Sequence, residues 1–255
     1  MSQQGQMQFQ VVEISPWVKR LIIANVVVWV VFQLIIEKFL LPSPYITTFF
    51  SFTPSLVIEN FMIWQLGSYM FLHSGNVFHI LFNMISLWFF GSELEYRWGW
   101  RSFLIYYFVT GVGAALIYLI GVILVGLIYG SEPSVWNIPV IGASGAIFGI
   151  LVAYGILFGE RMIHFMLIFP MKAKYFIMIL GGVELVTLLN EGMGGSQVAN
   201  LAHVGGMVSG FVYLLAWTRI KQKQWRKNSK KSKGRRNLRL VINNDEDPDD
   251  PKYWN

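Results

Sequence analysis

The chain has no cysteine. Disulfides, thiolate nucleophiles, iron–sulfur clusters and zinc ribbons are therefore excluded together. Charge is also scarce: Asp, Glu, Lys and Arg make up 13% of 255 residues, against roughly 25% in an ordinary soluble domain. All four aspartates (Asp245, Asp247, Asp249, Asp250) stand in the last eleven residues. That removes an intramembrane aspartyl protease, which needs two of them inside the bilayer. Four histidines are present (His73, His79, His164, His203), but no His-Glu-x-x-His, so a zinc metalloprotease lacks its ligand set. What the chain has in excess is apolar surface, with 55% hydrophobic residues and a mean hydropathy of +0.50. One water-soluble core cannot hide that much of it, so the composition describes a polytopic membrane protein.

A helix needs about 20 residues to cross roughly 30 Å of hydrocarbon. Six segments are expected to be helical: Trp17 to Leu40, Asn76 to Phe90, Phe103 to Leu127, a short one from Ser144 to Phe158, Ala173 to Leu189, and Asn200 to Thr218. The first is too long, and charged too early, for a cleaved signal, and no small-x-small site follows it. Of the 20 Lys and Arg, eight precede residue 219. With six crossings, Lys19, Arg20, Arg97, Arg101, Arg161, Lys172, Lys174 and the basic tail share one side, and only Lys38 falls on the other. The positive-inside rule then places both termini in the cytoplasm. The expected organisation is a cytoplasmic segment 1–16, a six-helix core 17–218 and a cytoplasmic tail 219–255. The stretch from Pro42 to His73, broken by Pro42, Pro44, Pro54, Glu59 and Gly67, reads as a folded loop at the outer interface, held by aromatics such as Trp64 and Tyr69. Residues 219–239 carry eleven Lys and Arg, and 245–250 five acids. They read as a disordered tail drawn to anionic lipid.

Within this frame few residues can do chemistry. Ser144 lies in Gly142-Ala143-Ser144-Gly145 at the start of the short fourth helix. Small residues there also serve plain packing, but a helix start offers unpaired N–H groups and a positive dipole end, where an oxyanion is stabilised. His203 lies early in the sixth helix. An imidazole inside a span is costly without a partner and marks a functional candidate; the plain alternative is a packed histidine bonded to a carbonyl. Ala202, Gly206 and Gly210 form a small-residue stripe on the sixth helix, and Gly145, Gly149 and Ala153 one on the fourth. Such stripes let backbones approach closely, and two facing stripes would bring imidazole to hydroxyl. His79 and Asn83 lie four apart on one face of the second helix. They read either as an interhelical hydrogen bond or as oxyanion donors beside the Ser144 N–H. Glu184 is the one acid placed deep in a span, expected to line the cavity or to be a hydrogen-bonded packing residue.

Together these residues resemble the rhomboid family of intramembrane serine proteases. The resemblance rests on Trp64, His73, His79-Ile-Leu-Phe-Asn83 with Met84, Glu95 and Arg97, Gly142-Ala-Ser144-Gly145, and Ala202-His203-Val-Gly-Gly206-Met-Val-Ser-Gly210, in that order, across residues 17 to 218. It implies an all-α, six-transmembrane-helix bundle with an interfacial loop between helices 1 and 2. It further implies Ser144 as nucleophile and His203 as general base, with His79, Asn83 and the Ser144 N–H as oxyanion hole. Asn200 would stand near the site, and Glu95 and Arg97 in a cytoplasmic-side structural network. Three departures stand out. The family's Trp-Arg pair reads Trp64-Gln65, His73 and His79 are six apart, which leaves His73 a structural role, and Phe148 replaces the tyrosine that stacks on the catalytic imidazole in some relatives. With no acid visible near either residue, a Ser144/His203 dyad acting through an acyl-enzyme is expected. No cofactor, metal or nucleic acid is implied. The expected partners are single-span membrane-protein substrates and membrane lipid, and the expected location is a bacterial plasma membrane. The rival readings are a catalytically silent rhomboid-like client-binding protein and a small transporter.

Overall fold

The computed structural model describes residues 13–129, 136–165, 169–191 and 198–233. Contacts divide the chain into a unit of residues 1–215 and a C-terminal unit from Ala216. Five helices are long and apolar enough to cross a membrane: Pro16–Leu40, Val77–Trp98, Trp100–Ile128, Ala173–Asn190 and Ala199–Trp225, while Ser144–Leu157 is a shorter apolar helix. At about 1.5 Å per residue the short one reaches roughly 20 Å. Length alone therefore supports five spans, not the expected six. These helices, numbered first to sixth in chain order with Ser144–Leu157 the fourth, expose many large apolar side chains, among them Leu127, Val183, Leu189 and Val212. Such an exterior belongs in lipid rather than water.

Local chemistry sets the helix ends. Pro16 opens the first helix at a position where its missing N–H costs nothing. The remaining orphan donors there are met from the second helix: Trp17 and Val18 donate backbone N–H bonds to the Glu95 carboxylate, and Ser15 Oγ donates to it at 2.5 Å. Glu95 thus caps the first helix, the structural part expected of it. Arg97 lies over the Phe158 ring. Asn76 caps the second helix by accepting from the Phe78 N–H at 3.0 Å. Gly99, at φ +78°, ends it.

The loop after the first helix is folded, with short helices Tyr45–Phe50, Pro54–Glu59 and Gln65–Ser68 and a 3₁₀ turn Tyr69–Phe71. Gln65, where an arginine was expected, is fully buried and organises the loop. Its Oε1 accepts from Thr53 N–H, and its Nε2 donates to the Thr48 and Phe49 carbonyls. Phe52 and Val140 exchange backbone hydrogen bonds of 3.0 and 2.8 Å, and Gly142 N–H donates to the Tyr69 carbonyl at 3.0 Å. The loop is therefore tied to the segment that leads into the fourth helix.

Two features differ from the expected all-helical core and tail. Strands β1 (Met162–Phe165) and β2 (Phe169–Lys172) pair antiparallel between the fourth and fifth helices, with Met162 opposite Lys172. Beside them, hydrogen bonds from Lys172 and Lys174 hold the exposed Glu160 carboxyl down to about 2. The sixth helix runs Val198–Lys233, so the part of the tail up to residue 233 is helical rather than disordered. The lysines and arginines there are good helix formers, and their charge had masked that propensity. The acidic stretch 245–250 lies outside the described residues.

Candidate active site

The two glycine stripes face each other. A Cβ on Gly206 would strike the Gly145 backbone oxygen, and one on Gly210 would lie 3.0 Å from Gly149 Cα and 2.6 Å from the Tyr106 hydroxyl. On the far side of the fourth helix, a Cβ on Gly145 would come 2.8 Å from Ala114 Cβ, and one on Gly149 2.6 Å from Thr110 Cβ. The fourth helix thus lies between the sixth, whose backbone meets its own, and the third, whose Ala114 and Thr110 side chains press on its glycines.

That contact decides where the Ser144 and His203 side chains meet. Ser144 is the first residue of its helix, and His203 sits one residue beyond the Ala202 carbonyl that faces Gly145. His203 Nε2 lies 2.8 Å from Ser144 Oγ. Phe148, one turn along the fourth helix, stacks on the imidazole with centroids 4.4 Å apart and planes 21° apart. The expected ring face is present without a hydroxyl. The ring thereby holds the imidazole plane against the serine.

His79 reaches the same place from the second helix. Its Nδ1 accepts the Ser74 backbone N–H at 3.2 Å and lies 3.1 Å from Ser74 Oγ. A backbone N–H can only donate, so this nitrogen carries no proton and the neutral ring bears its hydrogen on Nε2. Nε2 stands 2.9 Å from the point a Cβ on Gly142 would occupy, and Ser144 Oγ is 3.6 Å from that point. Gly142 is held at φ +122°. The sequence therefore leaves a vacant spot between an N–H donor and the serine hydroxyl, in a conformation that disfavours any side chain. Asn83 is buried one turn further on; its Nδ2 donates to the His79 carbonyl at 2.7 Å, while its Oδ1 has no partner among the described residues.

The Ser74 end of this arrangement is anchored by the first helix. Trp29 Nε1 donates to the Ser74 carbonyl at 2.9 Å. Gln33, buried in the span, donates to the His73 carbonyl at 3.0 Å and accepts the His73 N–H at 2.9 Å. The His73 ring is buried, 5.2 Å from the His79 ring. Burial, and then His79 nearby, lower its pKa to about 3, an effect the Phe71 backbone opposes. Gln33 and Trp29 are site-supporting residues that the sequence reading passed over; their signal was a polar amide and an indole one turn apart on an otherwise apolar span.

A cleft of about 550 Å³ collects His79, Asn83, Ser144 and His203, with Phe78 and Phe82 on one wall and Ile138 to Ile141 on the other. Asn200 is not among its lining residues. Trp64 is half-exposed, its indole donating to the Phe49 carbonyl at 2.9 Å, and it does not line the cleft. The side chain of His164 lies outside the described residues. No group of three or more metal-binding side chains occurs among the described residues. One residue departs from its expected place. Glu184 Oε2 approaches His203 Nδ1 to 3.0 Å, so an acid does stand beside the imidazole that was expected to have none. Its helix is separated from His203 by residues 192–197, and no motif spacing links the two.

A family model described as a Rhomboid domain matches residues 60–220. RHOMBOID-like protein 1 of Arabidopsis thaliana is 33% identical over 161 residues, 62% of this chain and 35% of that protein. Rhomboid protease GluP of Bacillus subtilis is 28% identical over 151 residues, 58% of this chain and 25% of that protein. RHOMBOID-like protein 12, mitochondrial, of Arabidopsis thaliana is 26% identical over 216 residues, 81% of this chain and 59% of that one. The chain thus spans about a third of the first of these and a quarter of the second. Relatives from a plant and a bacterium fit a multi-pass membrane protein without selecting the bacterial plasma membrane expected from the sequence.

Proposed function

Because the chain belongs to the rhomboid family, we propose that it is an intramembrane serine endopeptidase with Ser144 as nucleophile and His203 as general base. The observation that carries this reading is the 2.8 Å approach of His203 Nε2 to Ser144 Oγ at a helix N-terminus inside a cleft. In the reaction, Oγ bonds to the substrate carbonyl carbon while its proton passes to Nε2. The carbonyl oxygen becomes an oxyanion in the spot beside Gly142, with His79 Nε2–H, the Ser144 N–H and Asn83 as its donors. The C–N bond then breaks and Nε2 returns the proton to the leaving amine. Water repeats the sequence on the acyl-enzyme, with its proton taken by His203 and returned to Ser144 Oγ. Each oxyanion donor is worth about 10²–10³ in rate by analogy with soluble proteases.

The substrate class we infer is single-span membrane proteins reached from the lipid. A folded helix hides its carbonyls, so the cut falls where helix-weakening residues free them. The distribution of Lys and Arg supports six crossings, with residues 17–218 as the core and both termini on the cytoplasmic side. The test is turnover of a fluorogenic transmembrane peptide by the purified full chain in liposomes. Ser144→Ala should abolish it. Equal turnover by the alanine variant contradicts the assignment, and no turnover by either favours a client-binding protein.

A further inference from the structure

The proton relay described above uses one nitrogen of His203 and leaves the other to be explained. Nδ1 is buried and has no hydrogen-bond partner among the described residues, and the same is true of Glu184 Oε2. The two atoms lie 3.0 Å apart, within ion-pair distance though without the geometry of a formed hydrogen bond. Their side chains are only 15% and 18% exposed. A carboxylate at mid-span is costly unless something answers its charge, and a general base is useless if its ring flips or takes the wrong tautomer. Each group has what the other lacks.

Among the described residues, Glu184 is the acid found within ion-pair distance of the imidazole. The fourth helix presents Ser144 and the Phe148 ring, the second helix His79 on the same cleft, and the fifth helix Glu184. The other carboxylates with described contacts are engaged elsewhere: Glu95 caps the first helix, Glu93 pairs with Arg161, Glu160 with Lys172 and Lys174, Glu37 with Thr47, and Glu59 with Trp136.

We infer that Glu184 is a positioning residue for His203, so that the site works as a Ser144–His203–Glu184 triad rather than a dyad. This rests on the protease reading above. Glu184 accepts the Nδ1–H, which keeps the proton off Nε2 and the lone pair aimed at Ser144 Oγ. When Nε2 takes the serine proton, the imidazolium retains its Nδ1–H against the carboxylate. No proton moves to Glu184; the carboxylate stabilises the positive charge until Nε2 hands its proton to the leaving amine.

The experiment compares wild type, Glu184→Gln, Glu184→Asp and Ser144→Ala as full-length protein in liposomes, on a fluorogenic transmembrane peptide. Glu184→Gln should lower kcat by at least about tenfold, up to the ~10⁴-fold seen when a triad carboxylate is amidated, with KM held within about threefold. Glu184→Asp should restore part of that loss. A second readout does not depend on turnover: with ¹⁵N-labelled histidine in the Ser144→Ala background, the His203 Nδ1–H proton should resonate far downfield and lose that shift in the Glu184→Gln double variant. A purely structural glutamate would instead lower the thermal midpoint and kcat together and leave the Nδ1–H signal in place. Turnover lost in Ser144→Ala but unchanged in Glu184→Gln, or a downfield signal indifferent to Glu184, overturns the triad alone. Turnover that survives Ser144→Ala overturns the protease reading and the triad with it.

Discussion

The fourth and fifth helices are neighbours in sequence and unlike in how they are held. The fourth buries Gly145, Ala146, Ile147, Gly149, Ile150, Leu151, Ala153 and Tyr154, with the sixth-helix backbone on one side and third-helix side chains on the other. The fifth buries Ala173 and Ile177, and 11% of its most apolar stretch is covered, against 39% for the second helix. Added atoms have different fates on the two. A Cβ at Gly206 meets the backbone of the fourth helix, whereas one at Gly182 meets nothing within 4 Å. The serine is therefore fixed by close-packed backbone, and the acid beside the histidine is brought by a helix with most of its surface in lipid.

The contrast can be broken or sharpened by substitution. Gly206→Val drives two methyl groups into the Gly145 carbonyl, and destabilisation of at least about 3 kcal/mol is expected. Thermal unfolding in detergent should show it, with turnover lost in parallel. Gln33→Leu comes next. It leaves the buried N–H and C=O of His73 unpaired, which costs about 1–3 kcal/mol. Because the same segment orients His79 through Ser74, kcat should fall too, while the Ser144–His203 pair stays intact to a serine-directed probe. Acid should act on this anchor in a defined window. The folded His73 has its pKa at about 3 and the free side chain near 6.5. The unfolded chain thus takes up a proton that the folded one refuses. Stability from this group is complete above pH 6.5 and is lost progressively as pH falls towards 3. His73→Gln should flatten that stretch of the unfolding midpoint against pH. The smallest effect belongs to Gly182→Ala, expected to change stability by less than about 1 kcal/mol, in the stabilising direction, through helix propensity alone.

Much of the site was legible in the sequence because it rests on local periodicity. Glycine and alanine every four residues on two helices announced a close helix contact, and the meeting of Ser144 and His203 beside those stripes followed from it. His79 and Asn83 were readable as a pair because four residues is one helical turn. The remainder depended on tertiary register, which no local pattern encodes. Glu184 is a lone acid on a helix without a small-residue stripe, so nothing in its neighbourhood revealed which face meets His203. Gln65 looked like the loss of an arginine and proved to be the hub of the first loop. Gln33 speaks to His73 across 40 positions. The extension of the sixth helix to Lys233 was hidden by charge density, which reads as disorder when apolar burial is the only criterion. The strand pair beyond the fourth helix has four residues in each strand, too few for a strand pattern to emerge.

The central claim is that the glycine-lined contact of the fourth and sixth helices makes one hydroxyl nucleophilic by bringing one imidazole to it. Intact-mass and peptide analysis after brief fluorophosphonate treatment of the liposome-embedded protein tests this without any assumption about substrate. Wild type should carry a single adduct on Ser144, and His203→Ala should form it more slowly by about 10² or more. Equal labelling of the two proteins, or an adduct on a different residue, would contradict the account.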